Sequence, residues 1–223
     1  MSISDPKKNL FAGLAEVGRA LGNEHRLRIL ELLAQRETSV EAVAERVGLS
    51  VANASQHLRL LRAAGLLTSR RDGKHIRYVV SDPTVLALTA ALGHVAERNL
   101  AQVREVIRGY FKERDALEPI SRRELVRRLK DDVVTLLDVR PPDEFAAGHL
   151  PTAVNIPLRE LPRRLRNLPA DRDVVAYCRG AYCVLAFEAV ALLRKRGFRA
   201  RRLEDGFPEW RAQGLPVEPA QVR

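Results

Sequence analysis

The sequence predicts two domains: a mainly α-helical domain with one β-hairpin, followed by an α/β domain with a parallel sheet. The chain has 223 residues, about twice the usual domain size. In the first half of the chain, apolar residues recur at helical spacing both before and after a single hairpin-turn signal. In the second half, short apolar strands alternate with helices. The helical pattern stops before a proline at residue 119. We therefore predict domains at 1–112 and 121–223, joined by a linker at 113–120.

Four helices are predicted before the hairpin. The first has an apolar stripe formed by Leu10, Leu14, Val17 and Leu21. The expected starts and ends of the next three are marked by Asn23, Thr38 with Glu41, Gly48, Ser50 and Gly65. Asp72-Gly73 then predicts the hairpin turn, and one helix is expected from Thr84 to about Phe111.

The second half alternates between helix and strand. We predict a helix at 121–130, an apolar strand at 133–139, a second strand at 174–178 and a helix from 184. A strand and turn are expected at 198–205. This alternation is typical of a parallel sheet covered by helices.

Composition limits the function classes. The net charge of +10 is compatible with nucleic-acid binding, although a basic composition alone does not prove it. The chain contains no run of 18 apolar residues and its N-terminus lacks a secretory signal, so we expect a cytoplasmic protein without a membrane partner. Two cysteines do not make a disulfide framework. No cofactor is expected.

Residues 38–63 have the pattern of a helix-turn-helix, with Gly48 at the turn. If Ala54, Leu58 and Leu61 face the core, polar residues on the same helix remain outward to contact bases. The hairpin that follows is basic and suits phosphate contacts. The predicted DNA-binding residues are Asn53, Ser55, Gln56, Arg59, Arg70, Arg71, Lys74 and Arg77.

Residues 20–80 resemble the ArsR family of winged helix-turn-helix repressors, and the resemblance extends over about residues 10–112. The resemblance implies a homodimer, formed through the first and last helices, that binds a palindromic double-stranded operator. The Cys-x-Cys metal site of many members is absent. Asp82, His94 and Glu97 are similar to a zinc site on the last helix, but Thr84 stands where a histidine ligand is expected. We therefore predict no metal.

Cys178 follows an apolar strand at the edge where parallel sheets place their ligands. The amides of Arg179, Gly180, Ala181 and Tyr182, with the start of the next helix, are predicted to form an anion-binding loop that favours a reactive thiolate. Cys183 ends this loop. Two thiols in one six-residue segment predict a disulfide or polysulfide bridge, with Cys178 reacting first.

Residues 136–158, 174–193 and 203–217 resemble the three signatures of the rhodanese family. The resemblance implies a cysteine nucleophile, Cys178, that carries sulfane sulfur as a persulfide. Four residues match family positions and are interpreted mainly as scaffold: Asp138, Arg140, Glu144 and His149. Asp138 ends the first strand beside the loop, and it is also predicted, with Cys178, Cys183 and Arg179, as a candidate catalytic residue. Two positions depart from the pattern: Thr152 replaces a glycine, and Cys183 replaces the arginine that holds an anionic donor, which leaves Arg179 as the nearby cation.

Three functions are compatible with these residues. The first is a repressor that senses reactive sulfur or redox state through Cys178 and Cys183. The second is a rhodanese-type sulfurtransferase fused to a DNA-binding module, with activity weakened by Cys183. The third is a sensor of arsenite or another soft metal, with both thiolates as ligands.

Overall fold

A computed structural model describes residues 5–112, 119–169, 171–180 and 183–219 of the chain. The chain divides into two compact units, Met1–Thr89 and Ala90–Arg223. Most of the predicted linker, residues 113–118, lies outside the described residues. The structure contains both parts of the predicted fold: a winged helix-turn-helix and an α/β unit with a parallel sheet.

The first unit is helical with one small antiparallel sheet, whose strand order is β1-β3-β2. Its elements are α1 (Pro6–Leu21), α2 (Glu24–Gln35), β1 (Thr38–Ser39), α3 (Val40–Val47), α4 (Val51–Ala63), β2 (Leu67–Asp72) and β3 (His75–Val80). The side chains of Asn23 and Ser50 accept backbone N–H groups at the starts of α2 and α4, as predicted. Gly48 adopts a left-handed conformation with φ 74° and ends α3.

The predicted start of α3 is wrong by one residue. Ser39, not Thr38, caps this helix, and its side chain accepts the amide of Ala42. Thr38 instead pairs with Tyr78 across β1 and β3, and its hydroxyl donates to the Arg36 carbonyl. A strand pairing with a residue 40 positions later is not visible in the local pattern that suggested a capping box.

Two further boundaries differ from the prediction. Asp72 pairs with His75, so the hairpin turn consists of Gly73 and Lys74 rather than Asp72 and Gly73. The predicted helix at 84–111 is interrupted at Leu100, whose backbone is extended. α5 (Pro83–Asn99) ends there, and the Asn99 side chain donates to the Val95 carbonyl at this end.

The second unit contains α6 (Ala101–Val106), which continues as a π-helical turn (Ile107–Lys112), and then an α/β layer structure. The elements of that layer structure are α7 (Arg122–Lys130), β4 (Val134–Asp138), α8 (Pro142–Ala147), β5 (Val154–Asn155), α9 (Leu161–Arg164), β6 (Asp173–Tyr177), α10 (Val184–Lys195), β7 (Ala200–Arg202) and α11 (Phe207–Ala212).

All strands of the second sheet are parallel, in the order β5-β4-β6-β7. β4 and β6 are central and almost fully buried, which explains why their sequences are nearly continuous apolar runs. The chain enters the layer at Ile120, which is completely buried and bridges to Leu203. No helix in the described part of the chain is long and apolar enough to cross a membrane.

Candidate functional site

The outer face of α4 carries the predicted base-reading residues. Ala54, Leu58 and Leu61 are fully buried, which confirms the predicted inner face of this helix. Asn53 and Gln56 are exposed near its start. The other two predicted contacts on α4 are Arg59, which is exposed, and Ser55, which is half-buried. The first turns of α4 therefore present amides and small side chains to solvent.

The hairpin β2–β3, called the wing below, is less positively charged than its sequence indicates. Arg70 binds Glu37 with an N–O distance of 2.6 Å, and hydrogen bonding to Glu37 raises the pKa of Arg70. Arg77 hydrogen-bonds Asp72, which lowers the pKa of that carboxyl. Arg71 donates to the Gly73 carbonyl over 3.1 Å and is exposed.

Lys74 lies in the turn of the wing and is exposed. Arg71 and Lys74 stay predicted phosphate contacts, whereas two other predicted contacts, Arg70 and Arg77, are already ion-paired. The role of Glu37 was missed from the sequence, because this residue precedes Arg70 by 33 positions.

One of the residues compared above with a zinc site has another role. Asp82 accepts both the backbone amide and the hydroxyl of Thr84 at the start of α5, and these hydrogen bonds lower the pKa of Asp82. His94 is exposed. Among the described residues there is no cluster of three or more His, Cys, Asp or Glu side chains suited to a metal ion.

Cys178 and Cys183 stand at the two ends of the loop after β6, and their sulfur atoms form a disulfide. Their Cα atoms are 6.1 Å apart, inside the range of about 4.4–6.8 Å that disulfides span. Cys178 directly follows β6, and Cys183 directly precedes α10, as predicted. Both cysteines are buried, with 1% and 6% of their surfaces exposed. Ala181 and Tyr182, between them, lie outside the described residues.

The start of α11 packs against the cysteine loop. The Phe207 amide donates to the Cys178 carbonyl over 3.0 Å, and the Cys183 amide donates to the Gly180 carbonyl over 3.1 Å. Gly206 packs so closely that a Cβ atom there would lie 2.2 Å from the Gly180 nitrogen. Only glycine permits this approach, so the segment before α11 fixes the position of the cysteine loop.

Two carboxylates lie near the loop. Glu144, on α8, is fully buried and binds Arg179 bidentately, with Nη2–Oε1 2.6 Å and Nε–Oε2 3.0 Å. Glu209, on α11, accepts the Gly206 amide, and its Oε1 would lie 3.3 Å from a Cβ at Gly180. Burial raises the pKa of Glu209. The sequence had suggested Arg179 as the cation of the loop, but Glu144 balances its charge.

Asp138 ends β4 and serves a neighbouring polar network. Its carboxylate binds the Arg140 guanidinium at 2.7 Å, and both side chains are completely buried. Arg140 also donates to the Gly148 carbonyl over 2.8 Å and lies 4.2 Å from the Phe207 ring centre. Burial, and after it the charge of Asp138, raises the pKa of Tyr177 well above its ordinary value. This network joins β4, β6 and α11, and it agrees with the scaffold role suggested for Arg140.

Family models match both parts of this arrangement. A helix-turn-helix domain model matches residues 21–70, and a rhodanese-like domain model matches residues 121–213. The HTH-type transcriptional regulator Rv0324 of Mycobacterium tuberculosis is 46% identical over 215 residues, which are 96% of this chain and 94% of that protein. The chain therefore belongs to the family of HTH-type transcriptional regulators, and it joins a helix-turn-helix domain to a rhodanese-like domain.

Two other similarities each cover one half of the chain. A sulfurtransferase of Allochromatium vinosum is 39% identical over 95 residues, which are 42% of this chain and 87% of that protein. The solution structure of a homodimeric winged helix-turn-helix DNA-binding domain from Mycobacterium bovis, described as a possible ArsR-family regulator, is 39% identical. It covers 46% of this chain and 94% of its own, with a TM-score of 0.42.

Proposed function

We propose that this transcriptional regulator is a repressor whose affinity for operator DNA is set by the thiol state of Cys178 and Cys183. The observation that carries the proposal is the pairing of two buried cysteines at the ends of one loop, with Cα atoms 6.1 Å apart. The reduced and bridged loops differ by the sulfur–sulfur bond between Cys178 and Cys183. The Cys178 carbonyl accepts the amide of Phe207, at the start of α11. Reactive sulfur species are the proposed effectors.

The proposed chemistry is a two-step thiol–disulfide exchange. The Cys178 thiolate attacks the sulfane sulfur of a persulfide RSSH, forming a Cys178 persulfide and releasing RSH. The Cys183 thiolate then attacks the Cys178 sulfur, forming the disulfide and releasing hydrogen sulfide. Each cysteine thiol loses one hydrogen and the pair is oxidised by two electrons. The persulfide is the oxidant, and its two sulfur atoms leave as RSH and hydrogen sulfide. Thiols of the cytosol would reverse the bridge by reduction.

A homodimer on a palindromic duplex is the proposed DNA-binding form. Its support is the apolar surface that the terminal helices of the winged helix-turn-helix leave in solvent. On α1, Leu10, Phe11 and Leu14 have about three-fifths of their surfaces exposed, at 58% to 61%. On α5, the exposed apolar side chains are Leu88, Leu92 and Val95. Apolar patches of this kind mark interfaces between proteins.

The test uses duplexes selected from a random library by the reduced full-length protein. We expect a palindromic consensus and a mass of two chains in sedimentation equilibrium. Bridging the cysteines with polysulfide should weaken operator binding at least about tenfold, a change of about 1.4 kcal/mol. Cys178→Ser should bind DNA as the reduced protein does and should not respond to polysulfide. Equal operator affinities of reduced and bridged protein would contradict the proposal.

A sulfurtransferase is the second candidate, and the similarity to the Allochromatium vinosum sulfurtransferase favours it. In this case Cys178 would pass its outer sulfur to an acceptor in repeated cycles. Steady-state thiocyanate formation from a sulfur donor and cyanide, abolished in Cys178→Ser, would support this function. A single turnover that stops at the disulfide would favour the regulator.

A further inference from the structure

The cation of the cysteine loop is already engaged by a carboxylate. An anionic donor such as thiosulfate needs a cation at the loop to offset its loss of hydration. Arg179 is the cation within the described part of the loop. Its Nε and Nη2 atoms donate to the two carboxylate oxygens of Glu144. Because Glu144 is fully buried, releasing Arg179 for a donor would break two hydrogen-bonded contacts of a buried carboxylate.

A second carboxylate lies close to the loop. Glu209 lies against the Gly180 backbone: a Cβ atom placed at Gly180 would be 3.3 Å from the Oε1 atom of Glu209. Its second oxygen accepts the Gly206 amide, which fixes the carboxylate in this place. An ionised Glu209 therefore repels an anion that approaches the loop near Gly180.

The sulfur atoms themselves lie in an apolar environment. Cys178 and Cys183 belong to the hydrophobic cluster that includes Ile156 and Leu161, with the partly buried Leu158 packed against it. Moving a doubly charged ion from water into such surroundings is costly, whereas an uncharged sulfur chain gains from the same contacts.

We propose that the donor class read by Cys178 is an uncharged sulfane-sulfur compound, such as an organic trisulfide or a protonated persulfide, and that Glu209 helps to exclude dianionic thiosulfate. This selectivity rests on the proposed sensing role of the two cysteines. With a trisulfide RSSSR, the Cys178 thiolate displaces RSS⁻, and the Cys183 thiolate then displaces RS⁻ from the mixed disulfide. The products are the Cys178–Cys183 disulfide, RSH and RSSH, which balances all five sulfur atoms and both thiol hydrogens.

The experiment measures the rate of Cys178 modification in reduced full-length protein by intact-mass spectrometry at pH 8. Dimethyl trisulfide and thiosulfate are the two probes, and each rate is divided by the rate for N-acetylcysteine to remove intrinsic reactivity. We expect the normalised rate to be at least about tenfold higher for the trisulfide. Added salt should accelerate only the thiosulfate reaction, because salt screens repulsion between like charges.

Two variants test the assigned residues. Glu209→Gln keeps the size and the oxygen that accepts the Gly206 amide, and it should raise the normalised thiosulfate rate about three- to tenfold. Cys183→Arg should raise it as well, with Cys178 persulfide as the product. Glu204→Gln removes an exposed carboxylate near the same helix and should change neither rate.

Comparable normalised rates for the two probes in the unmodified chain would overturn the proposal, as would a thiosulfate rate that salt slows or that Glu209→Gln leaves unchanged. These results are separate from the operator test. A selective Cys178 whose bridging leaves operator binding unchanged refutes the sensing function, whereas an unselective Cys178 that controls operator binding refutes only the donor class.

Discussion

Arg70 in the wing is bound by Glu37, which lies just before β1, with the closest N–O distance 2.6 Å. This ion pair fixes β2 against the segment that leads into α3, and it consumes one of the charges on which DNA binding was predicted to depend. The second pair, between Arg77 and Asp72, consumes another. Both pairs are partly solvent-exposed, so DNA phosphate competes with each carboxylate for its arginine.

The first prediction separates these cations by their contribution to DNA affinity. Lys74→Ala should weaken binding to all duplexes by a similar factor and reduce the slope of log affinity against log salt by about one, because it removes one phosphate contact. Arg70→Ala should reduce the slope less, since Glu37 already neutralises Arg70. Fluorescence anisotropy at several salt concentrations measures both slopes, and equal slopes for the two variants would refute the distinction.

Gln56→Ala provides the contrast for the same experiment. Gln56 is exposed on α4 and is assigned to a base edge, so its loss should cost about 1–3 kcal/mol on the selected operator. The change should be much smaller on unrelated duplexes, and the salt slope should stay the same. A uniform loss across sequences would instead make Gln56 a backbone contact.

The second prediction concerns pH. Burial, followed by the charges of Arg26 and His25, lowers the pKa of His57. The unfolded chain therefore takes up the His57 proton more readily, at its ordinary pKa of about 6.5. The stabilising contribution is complete above that value and is lost as pH falls through 6.5 towards the folded-state pKa. His25, whose ring centre is 5.7 Å from that of His57, faces it from α2.

Urea unfolding between pH 5 and 8 measures this effect. His57→Gln should flatten the fall in unfolding free energy below pH 6.5, whereas His94→Gln, at an exposed position, should leave the fall as it is. An unchanged pH dependence in His57→Gln would show that other groups cause the loss.

Local sequence signals predicted those features whose cause is local. Asn23 and Ser50 cap helices because their side chains reach amides three residues later, and Gly48 ends α3 through its own left-handed backbone. The apolar runs of β4 and β6 predicted central parallel strands, which placed Cys178 at the correct edge. Such features depend on a few neighbouring residues and so can be recognised without an alignment.

The features that escaped prediction depend on distant partners. Thr38 is drawn into β1 by Tyr78, Arg70 is held by Glu37, and Glu144 reaches Arg179 across 35 positions. Glu209 lies close to Gly180 because α11 packs against the loop. The spacing of residues along the sequence does not reveal this packing. The charge of a site was therefore harder to predict than the position of its nucleophile.

The third prediction follows from a strained backbone. Thr152 has a φ of 66°, in the left-handed region, at the position where the rhodanese pattern has glycine. This conformation costs a non-glycine residue about 1–2 kcal/mol, while glycine loses about 0.5–1 kcal/mol through its greater freedom when unfolded. Thr152→Gly should therefore raise the unfolding free energy by about 0.5–1 kcal/mol in urea denaturation. Thr152→Ala keeps the Cβ atom and should give no such gain; equal gains in both variants would refute strain as the cause.

The fourth prediction tests the role of Cys183 in closing the bridge. In the unmodified chain, polysulfide treatment should leave the protein two hydrogens lighter, with residues 178 and 183 in one linked peptide. Cys183→Ser cannot attack the Cys178 sulfur, so Cys178 should remain as a persulfide, heavier by one sulfur and removable by dithiothreitol. Cys178→Ser, the matched control, should form no bridge. Equal and independent modification of the two thiols in the unmodified chain, with no linked peptide, would make Cys183 a packing residue and remove the resolving step.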